Sequence, residues 1–153
     1  MTQDEFDQAL REAETFVRSF PGMRRAQLIG SGSYLPADQC NDVDFAMLVS
    51  GDRLMDSIER MWHDGWKDCG DYDTTDQFEW CALRRRNANV MVTRSQKFFD
   101  GYLLATEVCK VLRLTEKSQR IAVCKVVRDG ILAADYDSFL PPLAHANVII
   151  GSY

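Results

Sequence analysis

The sequence predicts an α/β chain of the α+β type, with helices packed on one small mixed sheet. Helical and strand-like periodicities alternate along the chain, which favours a mixed architecture. Two strand-like segments, 78–85 and 89–93, are joined by a link too short for anything but an antiparallel hairpin. The length of 153 residues is enough to bury a core without disulfide or metal support.

The first element is predicted to be an amphipathic helix. Thr2 and Glu5 have the spacing of a capping box. Apolar residues then recur at helical spacing up to Phe20, where Pro21-Gly22 ends the pattern. The elements expected next are a strand at about 25–29, a turn at Gly30-Ser31 that leads into a helical turn, a loop over 36–41 and a strand over 43–49.

The second half of the chain continues this order around the hairpin. Apolar spacing predicts a helix over 54–62, and a run of turn-forming residues predicts a loop over 68–77. Ser95 is placed to cap a long helix that runs through Leu112. A last helix is expected over about 116–134.

The domain organisation is predicted to be simple, because no repeat or linker divides the chain. Residues 1–135 are expected to form one domain. Residues 136–153 are predicted to fold back on it, because the apolar run 148–150 would otherwise be exposed.

The turn after the first strand has the composition of a phosphate-binding turn. Leu28 and Ile29 end the strand, and the glycine and serine residues that follow allow a tight turn. Backbone N–H groups that emerge from such a turn can hold phosphate oxygens. The candidate nucleotide-binding residues here are Gly30, Ser31 and Ser33.

Two aspartates at the start of the next strand predict a metal site. Asp42 and Asp44 are two residues apart in a β-type run, so both carboxylates emerge on one face while Val43 and Phe45 point to the other. Two like charges on one face are costly without a cation. Hard oxygen ligands suit Mg²⁺ (or Mn²⁺), which also binds substrate phosphates.

The pattern of an apolar residue, Gly30-Ser31, ten further residues and then Asp42-x-Asp44 resembles the signature of the DNA polymerase beta-like nucleotidyltransferase superfamily, in particular its minimal members. A second segment, Asn89 to about Gly130, is similar to small nucleotidyltransferase-like proteins encoded by bacteriophages. The resemblance implies that a nucleoside monophosphate passes from a nucleoside triphosphate such as ATP to an acceptor hydroxyl, with release of pyrophosphate. It also implies that Asp42 and Asp44 hold the metal.

The sequence departs from the family pattern at two places. Minimal members often have another glycine where this chain has Tyr34. Catalytically complete members supply a third carboxylate from a neighbouring strand. The equivalent strand here begins with Asn89, and alternation places its side chain on the face opposite to that of Val90 and Val92. If these valines join the core, Asn89 points into the site. Its carbonyl can ligate a metal, but its amide is not a base at neutral pH.

Other groups are candidates for the roles that this leaves open. Asp76 and Glu79 are either substitute carboxylates or solvated residues. Arg84-Arg85-Arg86 either contacts a triphosphate or an RNA backbone, or is solvated at the hairpin end. Lys110 either neutralises a β- or γ-phosphate or is an exposed helix lysine.

Composition limits the partners and the compartment. The net charge of −5 argues against a broad nucleic-acid footprint and makes duplex DNA an unfavourable partner, but leaves room for a local basic groove. Five widely spaced cysteines indicate neither a disulfide framework nor a zinc site. We therefore expect a reducing cytoplasm, which would be that of the host if the protein is phage-encoded. No signal peptide or membrane-spanning stretch is recognised, so a soluble protein without a membrane partner is expected.

Three functions therefore stay open at the level of sequence. The first is a nucleotidyltransferase whose acceptor is a protein, an RNA or a small molecule. The second is a catalytically degenerate relative that binds a nucleotide without transferring it. The third is a phage interaction protein that docks on a host protein through the same scaffold.

Overall fold

The computed structural model describes residues 1–49, 65–73 and 80–133. The helices in these ranges are α1 (Gln3–Ser19), α2 (Gln96–Val111) and α3 (Lys117–Ala133). The strands are β1 (Met23–Ile29), β2 (Val43–Val49), β3 (Lys67–Asp73), β4 (Trp80–Arg85) and β5 (Ala88–Thr93).

The five strands form one mixed sheet in the order β1-β2-β5-β4-β3. β2 and β5 are parallel, and the other neighbouring pairs are antiparallel. The predicted α+β class, with helices on a small mixed sheet, and the predicted β4–β5 hairpin are both confirmed. Because β2 and β5 run in the same direction, their first residues lie at the same edge of the sheet.

Helix α1 covers one face of the sheet, and its start is the predicted capping box. Thr2 Oγ1 accepts the N–H of Glu5 at 3.1 Å, and Glu5 Oε1 accepts the N–H of Thr2 at 3.2 Å. The apolar face of the helix packs with the inward side chains of the central strands in one buried cluster. Val43, Phe45, Val90 and Val92 belong to that cluster and are fully buried.

The predicted loop over 68–77 is wrong for residues 68–73, which belong to β3. This edge strand pairs with β4, with Lys67 opposite Arg84 and Tyr72 opposite Cys81, and its register is irregular between Asp68 and Tyr72. Turn-forming composition indicates a loop when local propensity is considered alone. Backbone pairing with a neighbour supplies the stability that local propensity lacks.

The two later helices begin and end close to their predicted bounds. Ser95 caps α2, because its Oγ accepts the N–H of Phe98 at 3.2 Å. α2 and α3 pack against each other beside the sheet face that α1 leaves free. The predicted helix over 54–62, the candidates Asp76 and Glu79 and the segment 136–153 lie outside the described residues. Within the described ranges, no helix is long and apolar enough to cross a membrane.

Candidate functional site

The two aspartates lie at the edge of the sheet where β2 begins. Asp42 directly precedes β2, and Asp44 is its second residue. In the register of the sheet, Asp44 lies between Ile29 of β1 and Asn89 of β5. This row of paired residues brings the candidate turn, the candidate carboxylates and Asn89 to one place.

Gly30 follows Ile29 directly and lies against Asp44. Its φ of +68° is in the left-handed region, which favours glycine. A Cβ at this position would lie 2.9 Å from Asp44 Oδ2, closer than a carbon and an oxygen approach without displacement. The glycine therefore allows the backbone turn to contact the carboxylate.

Asn89 contacts both carboxylates through its amide nitrogen. Nδ2 donates to Asp42 Oδ2 at 3.0 Å and to Asp44 Oδ1 at 2.9 Å. The amide oxygen accepts a hydrogen bond from Arg84 Nε at 2.7 Å, and Arg84 Nη2 is 3.1 Å from Asp42 Oδ2. The predicted position of Asn89 is confirmed. Its oxygen, the atom that would ligate a cation, is turned toward Arg84.

The Asp44 carboxyl group has a raised pKa. Withdrawal from solvent, followed by the charge of Asp42, raises the pKa of Asp44 from 3.8 to about 7. The hydrogen bond from Asn89 and the charge of Arg84 act in the opposite direction and do not cancel these causes. Unless further positive charge is supplied, Asp44 therefore favours its protonated form below about pH 7.

The donor set fits a divalent cation in chemical type. Asp42 and Asp44 supply carboxylate oxygens on one face, where both accept hydrogen bonds from Asn89, and oxygen ligands of this kind suit Mg²⁺. In the described part of the chain, no three His, Cys, Asp or Glu side chains are grouped closely enough to hold a metal. The carbonyl oxygen of Asn89 could join these ligands only after rotation of its amide, because it now accepts the hydrogen bond from Arg84.

The turn after Gly30 is shorter than the sequence predicted. Instead of the first turn of a helix, residues Ser31–Ser33 form a single 3₁₀ turn, because the N–H of Ser33 and the Oγ of Ser33 both bind the carbonyl of Gly30. The N–H of Gly30 donates to Thr106 Oγ1 of α2 at 3.1 Å. Ser31 is the candidate nucleotide-binding residue that lines the cleft beside Gly30.

Tyr34, at the position where the superfamily that the sequence resembles often has glycine, ties this turn to the helices. Its hydroxyl donates to the carbonyl of Leu114 at 2.6 Å, in the link between α2 and α3. Arg120 of α3 lies close enough to oppose the rise that burial causes in the pKa of Tyr34. Arg120 is itself held by the carbonyl of Thr115, at 2.6 Å from its Nη1.

A cleft of about 990 Å³ opens above the aspartates. Its cations come from two sides. We call the side formed by Lys67, Arg84, Arg85 and Arg86 the strand wall, and the side formed by Lys117 and Arg120 the helix wall. Gly30, Ser31, Asp42, Asp44 and Asn89 line the same cleft between the two walls.

Two predicted site residues lie elsewhere. Ser33 and Lys110 line a second cavity of about 440 Å³, next to Phe6 and Leu10 of α1. Lys110 is exposed on α2. The structure therefore does not bring these two candidates together with the aspartates.

The sequence reasoning missed Lys67 and both residues of the helix wall. Lys117 and Arg120 are three residues apart in α3 and so lie on one helical face, which is a signal that could have been used. Lys67 had no such signal, because its place in the cleft depends on β3 joining the sheet.

No protein-family model matches the chain, and no curated protein matches it.

Proposed function

We propose that the protein is a metal-dependent nucleotidyltransferase that moves a nucleoside monophosphate from a nucleoside triphosphate to an acceptor hydroxyl and releases pyrophosphate. The observation that supports this most is the row Ile29, Asp44 and Asn89, with Gly30 and Asp42 beside it, at the floor of a cleft with cationic walls. A phosphate-accepting turn, two hard-oxygen ligands and surrounding positive charge are what phosphoryl-group chemistry requires.

In this proposal, Asp42 and Asp44 hold Mg²⁺ or Mn²⁺, which when bound neutralises phosphate charge and polarises the phosphoryl group. Ser31 and the turn around it receive the triphosphate. Lys117 and Arg120 line the same cleft and, in this proposal, neutralise the phosphates that leave as pyrophosphate. Catalysis on such a site consists mainly of positioning and charge neutralisation.

The step that this site supports least is removal of the proton from the acceptor hydroxyl. Asn89 occupies the place of the third carboxylate and cannot accept a proton at neutral pH. Apart from Asp42 and Asp44, no carboxylate from residues 1–49, 65–67 or 80–133 lines the cleft. We therefore expect transfer to be slow compared with a site that has three carboxylates.

A second candidate is nucleotide binding without transfer. The observation that favours it is the way the chain neutralises its own carboxylates. The amide of Asn89 donates to both of them, and Arg84 forms an ion pair with Asp42 at 3.1 Å. A site compensated in this way can persist without a resident cation.

A labelling experiment separates these functions. Purified protein is incubated with Mg²⁺, a cell extract as the source of acceptors, and nucleoside triphosphates labelled at either the α- or the γ-phosphate. The proposal predicts that the α-label is transferred and the γ-label is released with pyrophosphate. Asp44→Asn should abolish transfer, whereas Asp38→Asn, at an exposed position outside the cleft, should not.

Each of the other outcomes favours a different function or a different site. Saturable nucleotide binding without transfer of the α-label would favour the binding module. If neither transfer nor binding is detected, the interaction protein becomes the better account. Transfer that survives Asp44→Asn would place the reaction at another site.

A further inference from the structure

We infer that the nucleobase of the nucleoside triphosphate binds in an apolar recess at the inner end of the cleft, where contact with its flat faces holds it. We define this recess by residues that line the cleft: Ala82, Met91, Tyr102, Ile121 and Cys124. The inference rests on the proposed function, because it places the base of the same nucleotide. It follows from the strand register, the packing of aromatic rings and the faces of two helices.

The floor of the recess lies one step along the sheet from the carboxylates. Met91 follows Asn89 by two residues in β5, and Ala82 lies opposite Met91 in β4. A step of two residues along a strand returns to the same face at a distance of about 7 Å. The floor therefore shares the face that presents Asp44 and Asn89, and it lies farther from the edge at which β2 and β5 begin.

Three aromatic rings close the inner end of the recess. Trp80 comes two residues before Ala82, and its ring stacks on that of Phe98 in α2, with centroids 5.5 Å apart and an angle of 14°. Phe98 also contacts the ring of Tyr102 edge to face, at 5.1 Å. Ala82 is thus the small residue between the large side chains of Trp80 and Arg84 on one face of β4, and the cleft extends over it.

The two helices beside the recess change from polar to apolar groups in the same way. The residues of α3 that line the cleft have the spacing of one helical face: Lys117, Arg120, Ile121 and Cys124. The cations occupy the first turn, and the apolar pair follows. In α2, Thr106 Oγ1 accepts the N–H of Gly30 at 3.1 Å, and Tyr102 lies one turn earlier. In both helices, the apolar groups therefore lie farther from the phosphate-accepting turn.

A nucleoside triphosphate has the same order of polarity as this cleft. When its phosphates lie at the turn around Gly30 and beside Asp44, the ribose spans the step along the sheet and the base reaches Met91 and Tyr102. The faces of a nucleobase are apolar and suit aromatic and methionine side chains. Removal of these faces from water favours binding.

The experiment uses two probes and two pairs of variants. Mg²⁺ with ATP carries the base, and Mg²⁺ with inorganic tripolyphosphate carries phosphates alone. Ala82→Leu fills the gap in the floor, and Ile121→Ser removes an apolar contact at a residue that is 58% exposed. The matched controls are Ala122→Leu and Val126→Ser, at exposed positions of α3 that do not line the cleft. Calorimetry measures the affinity of each protein for both probes.

The inference predicts that both recess variants bind ATP at least about fivefold more weakly than wild type. Their affinity for tripolyphosphate should be unchanged, which also shows that the phosphate end of the cleft is still folded. Both controls should bind the two probes as wild type does.

A second measurement locates the base without a change in affinity. In protein labelled with ¹³C at the methionine methyl groups, the Met91 resonance is assigned by its loss in Met91→Leu. ATP should shift this resonance through the ring current of the base, and tripolyphosphate should shift it much less.

The inference is overturned if Ile121→Ser leaves ATP affinity unchanged or weakens both probes equally, or if ATP does not move the Met91 resonance. If Ala82→Leu weakens both probes, the leucine has disturbed the phosphate end, and Ile121→Ser decides. Failure of the proposed function has a separate signature, because both probes would then fail to bind or would bind without dependence on Asp44.

Discussion

Asn89 lies opposite Asp44 across the parallel strands β2 and β5, and its amide nitrogen is 2.9 Å from Asp44 Oδ1. The same nitrogen is 3.0 Å from Asp42 Oδ2. One neutral side chain thus directs its two N–H donors to two carboxylates that would otherwise repel each other. This arrangement offsets the repulsion between the two carboxylates, at the position where the resemblance implies a third carboxylate.

Asn89→Asp should make the site depend on a cation. In the presence of a chelator, we expect the free energy of unfolding to fall by about 2 kcal/mol, because two hydrogen bonds to charged acceptors are replaced by repulsion. Added Mg²⁺ should restore most of this loss and increase nucleotide transfer, since a third carboxylate can accept the proton of the acceptor. The measurement is urea unfolding with and without Mg²⁺.

The matched control is Asn87→Asp, in the hairpin turn two residues earlier. Its carbonyl binds the N–H of Val43, and the substitution leaves that hydrogen bond in place. Equal stability of Asn89→Asp and wild type in chelator would show that the amide does not compensate the carboxylates.

Titration of Asp44 should make the metal-free protein less stable as pH rises. The pKa of Asp44 is about 7 in the folded chain and 3.8 as its ordinary value, so the folded state binds the extra proton between these values. Its contribution to stability is complete below about pH 4 and is lost as pH rises through 7. Asp44→Asn should remove this dependence.

The check is urea unfolding in chelator at pH 5 and pH 8, for wild type and Asp44→Asn. Burial also raises the pKa of Asp100, so the quantity that reports Asp44 is the difference between the two proteins. If that difference is the same at both pH values, the pKa of Asp44 is not raised.

Gly30→Ala should disturb the site directly. The new Cβ would lie 2.9 Å from Asp44 Oδ2, and a φ of +68° is unfavourable for alanine. The backbone cost alone is about 1–2 kcal/mol. We expect lower stability and weaker binding of ATP with Mg²⁺, measured by urea unfolding and calorimetry.

Gly130→Ala provides a control with the opposite sign. Gly130 lies in α3, and a Cβ there would meet nothing within 4 Å. Alanine should stabilise this helix by up to about 1 kcal/mol and leave ATP binding unchanged. If the two variants behaved alike, close contact between Gly30 and Asp44 would not be a feature of the site.

Tyr34→Phe should loosen the connection between the nucleotide turn and the helix wall. The variant loses the 2.6 Å hydrogen bond to the carbonyl of Leu114 and keeps the ring. We expect a loss of about 1 kcal/mol in the free energy of unfolding, and weaker ATP binding because Arg120 loses a fixed neighbour. An unchanged urea midpoint together with unchanged ATP affinity would contradict the role given to Tyr34.

The part of the site that depends on local pattern could be predicted from sequence. Alternation within two strands placed Val43 and Val90 in the core, which in turn placed Asp44 and Asn89 on the other face. The orientation of the Asn89 amide could not be predicted, because it is set by Arg84 on a third strand. The face to which a side chain points follows from the two-residue period of its strand. Which end of an amide donates and which accepts a hydrogen bond depends on the neighbouring side chains.

The cationic walls show the limit of local reasoning. The residues before and within β3 have a turn-like composition, which does not indicate a strand. The strand forms because it pairs with β4, and this pairing also fixes the position of Lys67. The helix wall depends on the packing of α3 against α2. Lys110 was a candidate phosphate-binding residue because it lies in the segment with the family resemblance. Positions that depend on contacts between distant segments leave little trace in a single sequence.

The most direct test of the central claim is whether Asp42 and Asp44 hold a divalent cation together with the nucleotide. Electron paramagnetic resonance of Mn²⁺, titrated with protein and ATP, measures this without requiring an acceptor. The account predicts that wild type and Asp38→Asn bind Mn²⁺ in an ATP-dependent way and that Asp44→Asn does not. Equal Mn²⁺ binding by wild type and Asp44→Asn would contradict it.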